Sequence, residues 1–284
     1  MDDAAALHRF VEDHRRLFVL TGAGCSTASG IPDYRDADGA WKRTPPVTWQ
    51  AFMRDPATRR RYWARSLLGW PMLAQARPNA AHSALAALEH AGRVHCLLTQ
   101  NVDRLHQRAG STRVIDLHGR IDRLRCTGCR TESSRADFQQ LLRQRNPRWS
   151  RREAAMAPDG DADLDGADFT DFDVPDCPHC GGLLKPDVVF FGENVPQQRV
   201  DTAMQALAES DALLVVGSSL MVWSGYRFAR AAADAGLPIA AINLGRTRAD
   251  PLLRLKVERA CDVALTALTA RLDAADQPLK VDSP

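Results

Sequence analysis

Short continuous apolar runs punctuate this chain, and each breaks off at small or polar residues. They are 17–20 (LFVL) before TGAG, 94–98 (VHCLL) before TQN, 114–117 (VIDL) before HG, 213–216 (LLVV) before GSS, and 239–242 (IAAI) before NLG. Strands buried on both faces of a parallel sheet have this look, and they deliver functional loops at their carboxyl ends. Helical spacing fills the intervals. Leu85, Leu88 and Glu89 precede the second run, and the Ala-rich stretch 225–236 (GYRFARAAADAG) closes on a glycine just before Pro238, a helix-stop signal. The alternation predicts an α/β chain built on a doubly wound, Rossmann-like parallel sheet.

One region departs from that rhythm. Between Cys126 and Cys180 two CxxC pairs flank a long connection poor in apolar residues, basic early (Arg143, Arg145, Arg148, Arg151, Arg152) and acidic late. This predicts a small zinc-binding module at 121–184, inserted into a larger domain made of 1–120 and 185–284. No repeat of solenoid length is present.

Composition narrows the function classes. The chain has 284 residues, 45% hydrophobic and 25% charged, with Lys+Arg 37 against Asp+Glu 35 for a net charge of +2. That is ordinary globular composition, large enough for one sizeable core and far from the basic excess of a dedicated nucleic-acid binder. No run approaches the ~18 apolar residues of a membrane span, and the opening MDDAAALHRF carries acids where a signal peptide needs basic residues. A cytoplasmic protein with no membrane or nucleic-acid partner is expected. In a reducing compartment, cysteines spaced as CxxC pairs read as metal ligands rather than disulfides.

Three places carry candidate chemistry. In the first, 21–35 (TGAGCSTASGIPDYR), Gly22 and Gly24 allow backbone to approach a pyrophosphate, and N–H groups at a following helix start would hold its charge. The dinucleotide fingerprint G-x-G-x-x-G fails at Thr27, so a nucleotide site and an ordinary strand-to-helix turn both remain open. In the second, Cys126, Cys129, Cys177 and Cys180 supply four thiolates turning on small residues, Thr127-Gly128 and Gly181-Gly182. Four protein ligands close a tetrahedral zinc site, which makes its role structural. Of the remaining cysteines, Cys96 reads as packed in a strand and Cys25 as a small filler. In the third, His118 follows a strand and precedes Gly119, where α/β sites form. Packing is the bland reading, but Gln100, Asn101 and Asp103 at another strand end are suited to fixing a ribose while an imidazole takes a proton. The run Asp161, Asp163, Asp165-Gly166 opens like a calcium loop, yet Phe172 stands where the bidentate glutamate belongs, and a solvated loop is expected there.

These residues together resemble the sirtuin family. GAGCSTASGIPDYR, TQNVD, LHG, the paired CxxC knuckles, LKPDVVFFGE, VGSSL and NLG occur in the family's order over roughly residues 10 to 270, and RRYWARSLLGWP and 146–161 resemble its class II branch. The resemblance implies NAD as cofactor, held by Gly22, Ala23, Gly24, Ser26, Pro32, Asp33, Tyr34 and Arg35. Gln100, Asn101 and Asp103 would form the nicotinamide-ribose pocket. Gly217, Ser218 and Ser219 would contact phosphate and ribose, and Asn243, Leu244, Gly245 and Cys261 the adenosine side. Val188, Val189, Phe190 and Phe191 would pair with substrate backbone by strand addition and wall an acyl-lysine tunnel.

The implied activity is NAD-dependent removal of acyl groups from protein lysine, with His118 and Asn101 catalytic. The acyl oxygen attacks C1′ of the nicotinamide ribose, and His118 then helps deprotonate a ribose hydroxyl, yielding lysine, nicotinamide and O-acyl-ADP-ribose. Activity is expected to fall below pH ~6.5 unless the site shifts the imidazole. Acyl-lysine proteins are the implied partners. Tyr62 and Arg65, three apart on one helical face, resemble a pair that grips acidic acyl groups; a plain amphipathic helix with Tyr62 packed and Arg65 solvated is the alternative. Protein ADP-ribosyltransfer or NAD hydrolysis on the same site is a rival activity, and a zinc-ribbon nucleic-acid module, suggested by the arginines at 143–152, is a rival class.

Overall fold

A computed structural model describes residues 3–33, 36, 38–40, 42, 46–152, 164 and 166–275. In chain order its elements are α1 (Asp3–Asp13), β1 (Leu17–Thr21), α2 (Trp49–Arg54), α3 (Pro56–Gln75), α4 (Ala80–His90), β2 (Val94–Thr99), α5 (Leu105–Arg108), β3 (Val114–Asp116), β4 (Gly119–Cys126), β5 (Glu132–Ser134) and α6 (Arg135–Arg145). They continue with β6 (Leu184–Val188), α7 (Gln197–Ala208), β7 (Ala212–Val216), α8 (Trp223–Asp234), β8 (Ile239–Ile242), β9 (Leu255–Val257) and α9 (Cys261–Ala275). The apolar runs are strands, as their pattern predicts.

Strands β3-β2-β1-β7-β8-β9 form one parallel sheet in that order. The chain winds outward from β1 in one direction and then in the other, so the order reverses between β1 and β7, where doubly wound sheets bind ligands. All five residues of β1 are buried, because successive side chains point to opposite faces and both faces are covered. Leu17 and Val19 pack with Leu7, Leu85, Leu88, Leu265 and Leu268 from α1, α4 and α9. Phe18 and Leu20 pack with Leu207, Phe228 and Ala232 from α7 and α8.

A second, antiparallel sheet has the order β5-β4-β6. Its core joins Leu124, Phe138, Leu142, Trp149 and Cys177 to Phe52, Trp63 and Leu67 of α2 and α3. Arg135 ties α6 to α3: it donates to the Ser66 carbonyl and hydroxyl at 3.1 Å and lies over the Trp63 and Trp70 rings. Trp63 is fully buried, and truncating such a side chain to Ala costs about 3–5 kcal/mol. No helix among the described residues is long and apolar enough to cross a membrane.

The glycine loop departs from expectation. Instead of an α-helix start, β1 is followed by two 3-10 turns, Ala23–Cys25 and Thr27–Ser29, the second closed by Gly30 at φ +82°. Asn79 holds them by donating to the Cys25 carbonyl at 2.9 Å and to Ser29 Oγ at 3.0 Å. With no helix here, an anion would meet a backbone cradle rather than a helix N-terminus.

Candidate active site

The cradle is where β1 and β7 end side by side. Gly22 N–H donates to the Val216 carbonyl at 3.0 Å and Gly24 N–H to the Gly217 carbonyl at 2.9 Å. A Cβ on Gly22 would lie 2.8 Å from the Gly217 carbonyl oxygen, and one on Gly217, at φ +61°, 2.3 Å from the Cys25 nitrogen. The two loops thus approach closer than side chains permit, which leaves a surface of bare backbone at the point where the strand order reverses. The Gly22 and Gly24 N–H groups are spent on closing the two loops together, and it is the close approach, with no side chain in the way, that fits a dinucleotide pyrophosphate.

Beside the cradle opens a cavity of about 410 Å³, lined among others by Ala23, Ser26, Pro32, Gln100, Asn101, Asp103 and His118. Sequence-distant candidates therefore converge. Asn101 Nδ2 donates to the Gly22 carbonyl at 2.9 Å and to Ser26 Oγ at 3.0 Å. Ser26 Oγ donates to Asp103 Oδ2 at 2.7 Å, and Gln100 Nε2 donates to Ser218 Oγ at 2.7 Å. Burial raises the Asp103 carboxyl above its usual range, while hydrogen bonds from Leu105 N–H and Ser26 oppose this.

His118 sits in the turn between β3 and β4. Gly119 makes that turn: at φ +85° its absent Cβ would stand 2.1 Å from the Asp187 carbonyl oxygen. The His118 Nδ1 lies 3.0 Å from the Gln100 carbonyl, which can only accept, so Nδ1 carries the proton and Nε2 keeps its lone pair. Ser224 Oγ, 2.8 Å from Nε2, donates to it. Burial lowers His118 to about 4, the Gln100 carbonyl opposing and the Arg199 and Arg227 charges adding. The imidazole is a neutral acceptor at physiological pH.

The opposite wall is apolar. Val188, Val189, Phe190, Phe191 and Tyr62 all line the cavity. Val189 N–H donates to the His118 carbonyl at 2.8 Å, and Trp49 N–H to the Phe191 carbonyl at 2.8 Å. The rings of Tyr62 and Phe190 meet at 5.3 Å. Arg65 is half-buried and is not among the residues that line the cavity.

Other candidates stand apart from this cavity. Ser219 follows the cradle, and its carbonyl accepts from Arg248 N–H at 2.8 Å. Asn243, Leu244 and Gly245 leave the carboxyl end of β8, with Leu244 63% exposed, and Cys261 opens α9 against the Ile242 carbonyl. Asp33 pairs with Lys42. Tyr34, Arg35 and the aspartates 161, 163 and 165 lie outside the described residues. Burial pushes Cys96 up to about 12 and Cys25 well above the ordinary thiol value, so neither is a reactive thiolate.

The four paired cysteines form a compact cluster. Cys126 and Cys180 sulfurs are 3.5 Å apart and those of Cys129 and Cys177 3.7 Å, near the roughly 3.8 Å that tetrahedral Zn–S bonds of ~2.3 Å impose. All four ligand atoms lie within 4.8 Å of one another. A Cβ on Gly182 would come 3.0 Å from Cys126 Sγ, so the second knuckle needs glycine to close over the sulfurs.

Sequence reasoning missed the residues behind the site. Ser224 and Arg227, at the start of α8, read only as part of a helical stretch. His82 and His106, in contact at 4.7 Å between ring centroids, underlie the loop, and His106 Nε2 donates to Thr21 Oγ1 at 2.9 Å. Only their position in PNAAH and DRLH, close to motif residues, hinted at this.

A model described as the Sir2 family matches residues 22–224. A protein of Xanthomonas campestris pv. campestris (strain 8004) named NAD-dependent protein deacetylase is 66% identical over 93% of this chain and 90% of its own length. NAD-dependent protein deacetylase 2 of Bradyrhizobium diazoefficiens is 64% identical over 93% of this chain and 96% of its own. A Sir2 structure with p53 peptide and NAD+ is 30% identical, with TM-score 0.75, over 96% of this chain and 100% of that one. Another, with deacetylated p53 peptide and 3′-O-acetyl ADP ribose, is 30% identical, with TM-score 0.77, over 95% of this chain and 98% of that one.

Proposed function

The chain belongs to the Sir2 family, and on that premise we propose that it is an NAD-dependent protein-lysine deacetylase with His118 as its base and one structural zinc on four cysteines. The observation that carries the assignment is the pair of hydrogen bonds that leaves His118 neutral with its lone pair on Nε2, inside a cavity that it shares with Asn101 and Ala23 beside the glycine cradle.

When bound, NAD would supply an electrophilic ribose carbon, with nicotinamide as its leaving group, and the ribose hydroxyl that accepts the acyl group. The protein's own residues do the rest. Gly22, Gly24 and Gly217, which carry no side chain, leave room for the pyrophosphate to approach the loop that holds Ala23, and Asn243, Leu244, Gly245 and Cys261 are assigned to the adenosine end. Ser26, Asn101 and Asp103 hold one another in a single arrangement, so no reorganisation is needed when the nicotinamide end arrives. His118 Nε2 takes a proton from a hydroxyl that displaces Ser224, and Gln100 fixes the ring through Nδ1. The apolar run Val188 to Phe191 lies beside the base and offers a strand edge to the acyl-lysine peptide. Cys126, Cys129, Cys177 and Cys180, which cluster away from His118, would hold a zinc ion, and four thiolates would leave it a structural role.

We divide the chain into a cofactor-binding domain (1–120 and 185–284) and a zinc-binding module (121–184), with α2 and α3 packed on the module. Longer or acidic acyl groups, the class II affiliation and a cytoplasmic location belong to the same proposal.

The test is stoichiometric. Purified protein given NAD and an acetyl-lysine peptide should release one nicotinamide per peptide deacetylated. Nicotinamide released without peptide turnover would move the assignment to NAD hydrolysis or ADP-ribosyltransfer.

A further inference from the structure

Besides the phenol of Tyr62, four ionisable side chains line the cavity among the described residues, and three of these four are satisfied. His118 is held by Gln100 and Ser224, Asp103 by Ser26 and Leu105, and Glu193 by Phe190 N–H at 2.8 Å and Lys185 Nζ at 3.0 Å. The fourth is Arg227. Its Nε is shut off from water with no acceptor, and among the described residues its guanidinium makes no hydrogen bond or ion pair. A guanidinium stays charged at any accessible pH, and a buried N–H left without a partner is costly, so such a group implies a partner that arrives with the ligand.

Its place in the cavity tells which part of the ligand that is. Arg227 lies three residues beyond Ser224 on α8, hence on the same helical face. The Nδ1 edge of His118 faces Gln100, whose side chain reaches Ser218 of the cradle, whereas the Nε2 edge faces α8. Arg227 is therefore on the Nε2 side of the imidazole, with Val222, Trp223, Asn194 and Val195 as fellow lining residues. The cofactor phosphates have their own backbone site. Arg65, the sequence candidate for gripping an acidic group, is not on the cavity wall.

We propose that Arg227 is a receptor for a carboxylate carried by the acylated substrate, either at the end of a dicarboxylic acyl chain or on an acidic side chain next to the modified lysine. The proposal rests on the deacylase reading and adds the charge of the substrate to it. A planar guanidinium meets a carboxylate through two parallel N–H···O bonds, which a neutral chain of the same length cannot form.

The experiment uses full-length, zinc-loaded protein and two matched peptide pairs: glutaryl-lysine against hexanoyl-lysine, and acetyl-lysine flanked by Glu against the same peptide with Gln. Peptide Kd is read by fluorescence anisotropy without NAD, and kcat/KM with saturating NAD. The wild type should favour the carboxylate in one pair by about tenfold, and the pair that responds identifies the source. Arg227→Gln should bring that ratio close to one, and Arg227→Lys should restore part of it. Each ratio is internal to one protein, so partial unfolding does not mimic the effect. No preference in either pair, or a preference that survives Arg227→Gln, overturns the proposal, as does a ratio that holds while NAD affinity falls. Failure of the wild type to turn over any peptide would sink the deacylase reading, while the Kd ratios still decide the fate of Arg227.

Discussion

At His118, two hydrogen bonds decide which nitrogen can take a proton. Nδ1 is committed to the Gln100 carbonyl, so Nε2 is the basic atom, held in reserve by Ser224. Burial lowers the imidazole to about 4. The acid limb expected near 6.5 from the residue type alone therefore moves down, and the base stays neutral as pH falls through 6.5, being lost only near 4. A pH profile of kcat/KM should show no loss attributable to this group between pH 7 and 5.5. Ser224→Ala removes a hydrogen bond to the neutral ring, worth about 0.5–1.5 kcal/mol, and so should raise the His118 pKa by up to about one unit. Nitrogen-15 NMR titration of the ligand-free protein reads this directly; an unmoved His118 would mean that Ser224 does not hold Nε2. The four cysteines are legible in the sequence because their spacing carries the chemistry, whereas His118 and Asn101 stand out through their place at strand ends and the resemblance to the sirtuin family. Ser224 is not, because a serine at a helix start reads as a cap and its partner lies more than a hundred residues away.

Among the elements, the strands of the large sheet were legible because burial on both faces makes them unbroken apolar runs. The small sheet was hidden for the opposite reason. In β4 (GRIDRLRC) the consecutive charges Asp122 and Arg123 break the alternation that would mark a strand, where the register also shifts, and β6 (LKPDV) contains Pro186, which a strand tolerates because β6 lies at the edge of its sheet. β9 is only three residues long. That α2 and α3 share a core with the cysteine module was equally unreadable, since 49–75 precede it by a long stretch of chain. Two predictions belong at this scale. Gly217→Ala places a Cβ on backbone at positive φ, and strain plus overpacking should destabilise the protein by about 2–5 kcal/mol. Calorimetry should show a lowered Tm together with weakened NAD binding; unchanged values would remove the cradle from the account. Native mass spectrometry should find one zinc per chain, and Cys177→Ser should lose it with a fall in Tm of more than about 5 °C. A metal-free variant as stable as the wild type would contradict the structural role.

Over the whole molecule, the candidate site lies where two sheets of different kind meet one cavity: the parallel sheet ends in the glycine cradle, His118 turns from one sheet into the other, and the end of β6 with α3 contributes the apolar wall. The sequence conveyed the first half of this through its apolar runs but not the approach of the second, which depends on the fold of α3 against β4 and α6. Buried histidines also give the molecule a pH dependence. His82 and His118 are lowered to about 4 and His106 well below the ordinary value, all chiefly by burial. Between pH 6.5 and about 4 the unfolded chain binds protons that the folded one refuses, so the stability these groups contribute is present above 6.5 and is lost as pH falls. Tm should decline across that window, and less steeply in His82→Gln; identical slopes would clear His82 of the effect. The central claim is tested most directly by mass spectrometry of the products formed from NAD and an acetyl-lysine peptide, with wild type beside His118→Ala. The wild type is expected to give O-acetyl-ADP-ribose and deacetylated peptide, reduced by roughly 10²–10⁴ in the variant. Equal product from both proteins, or NAD consumed with the peptide still acetylated, would contradict it.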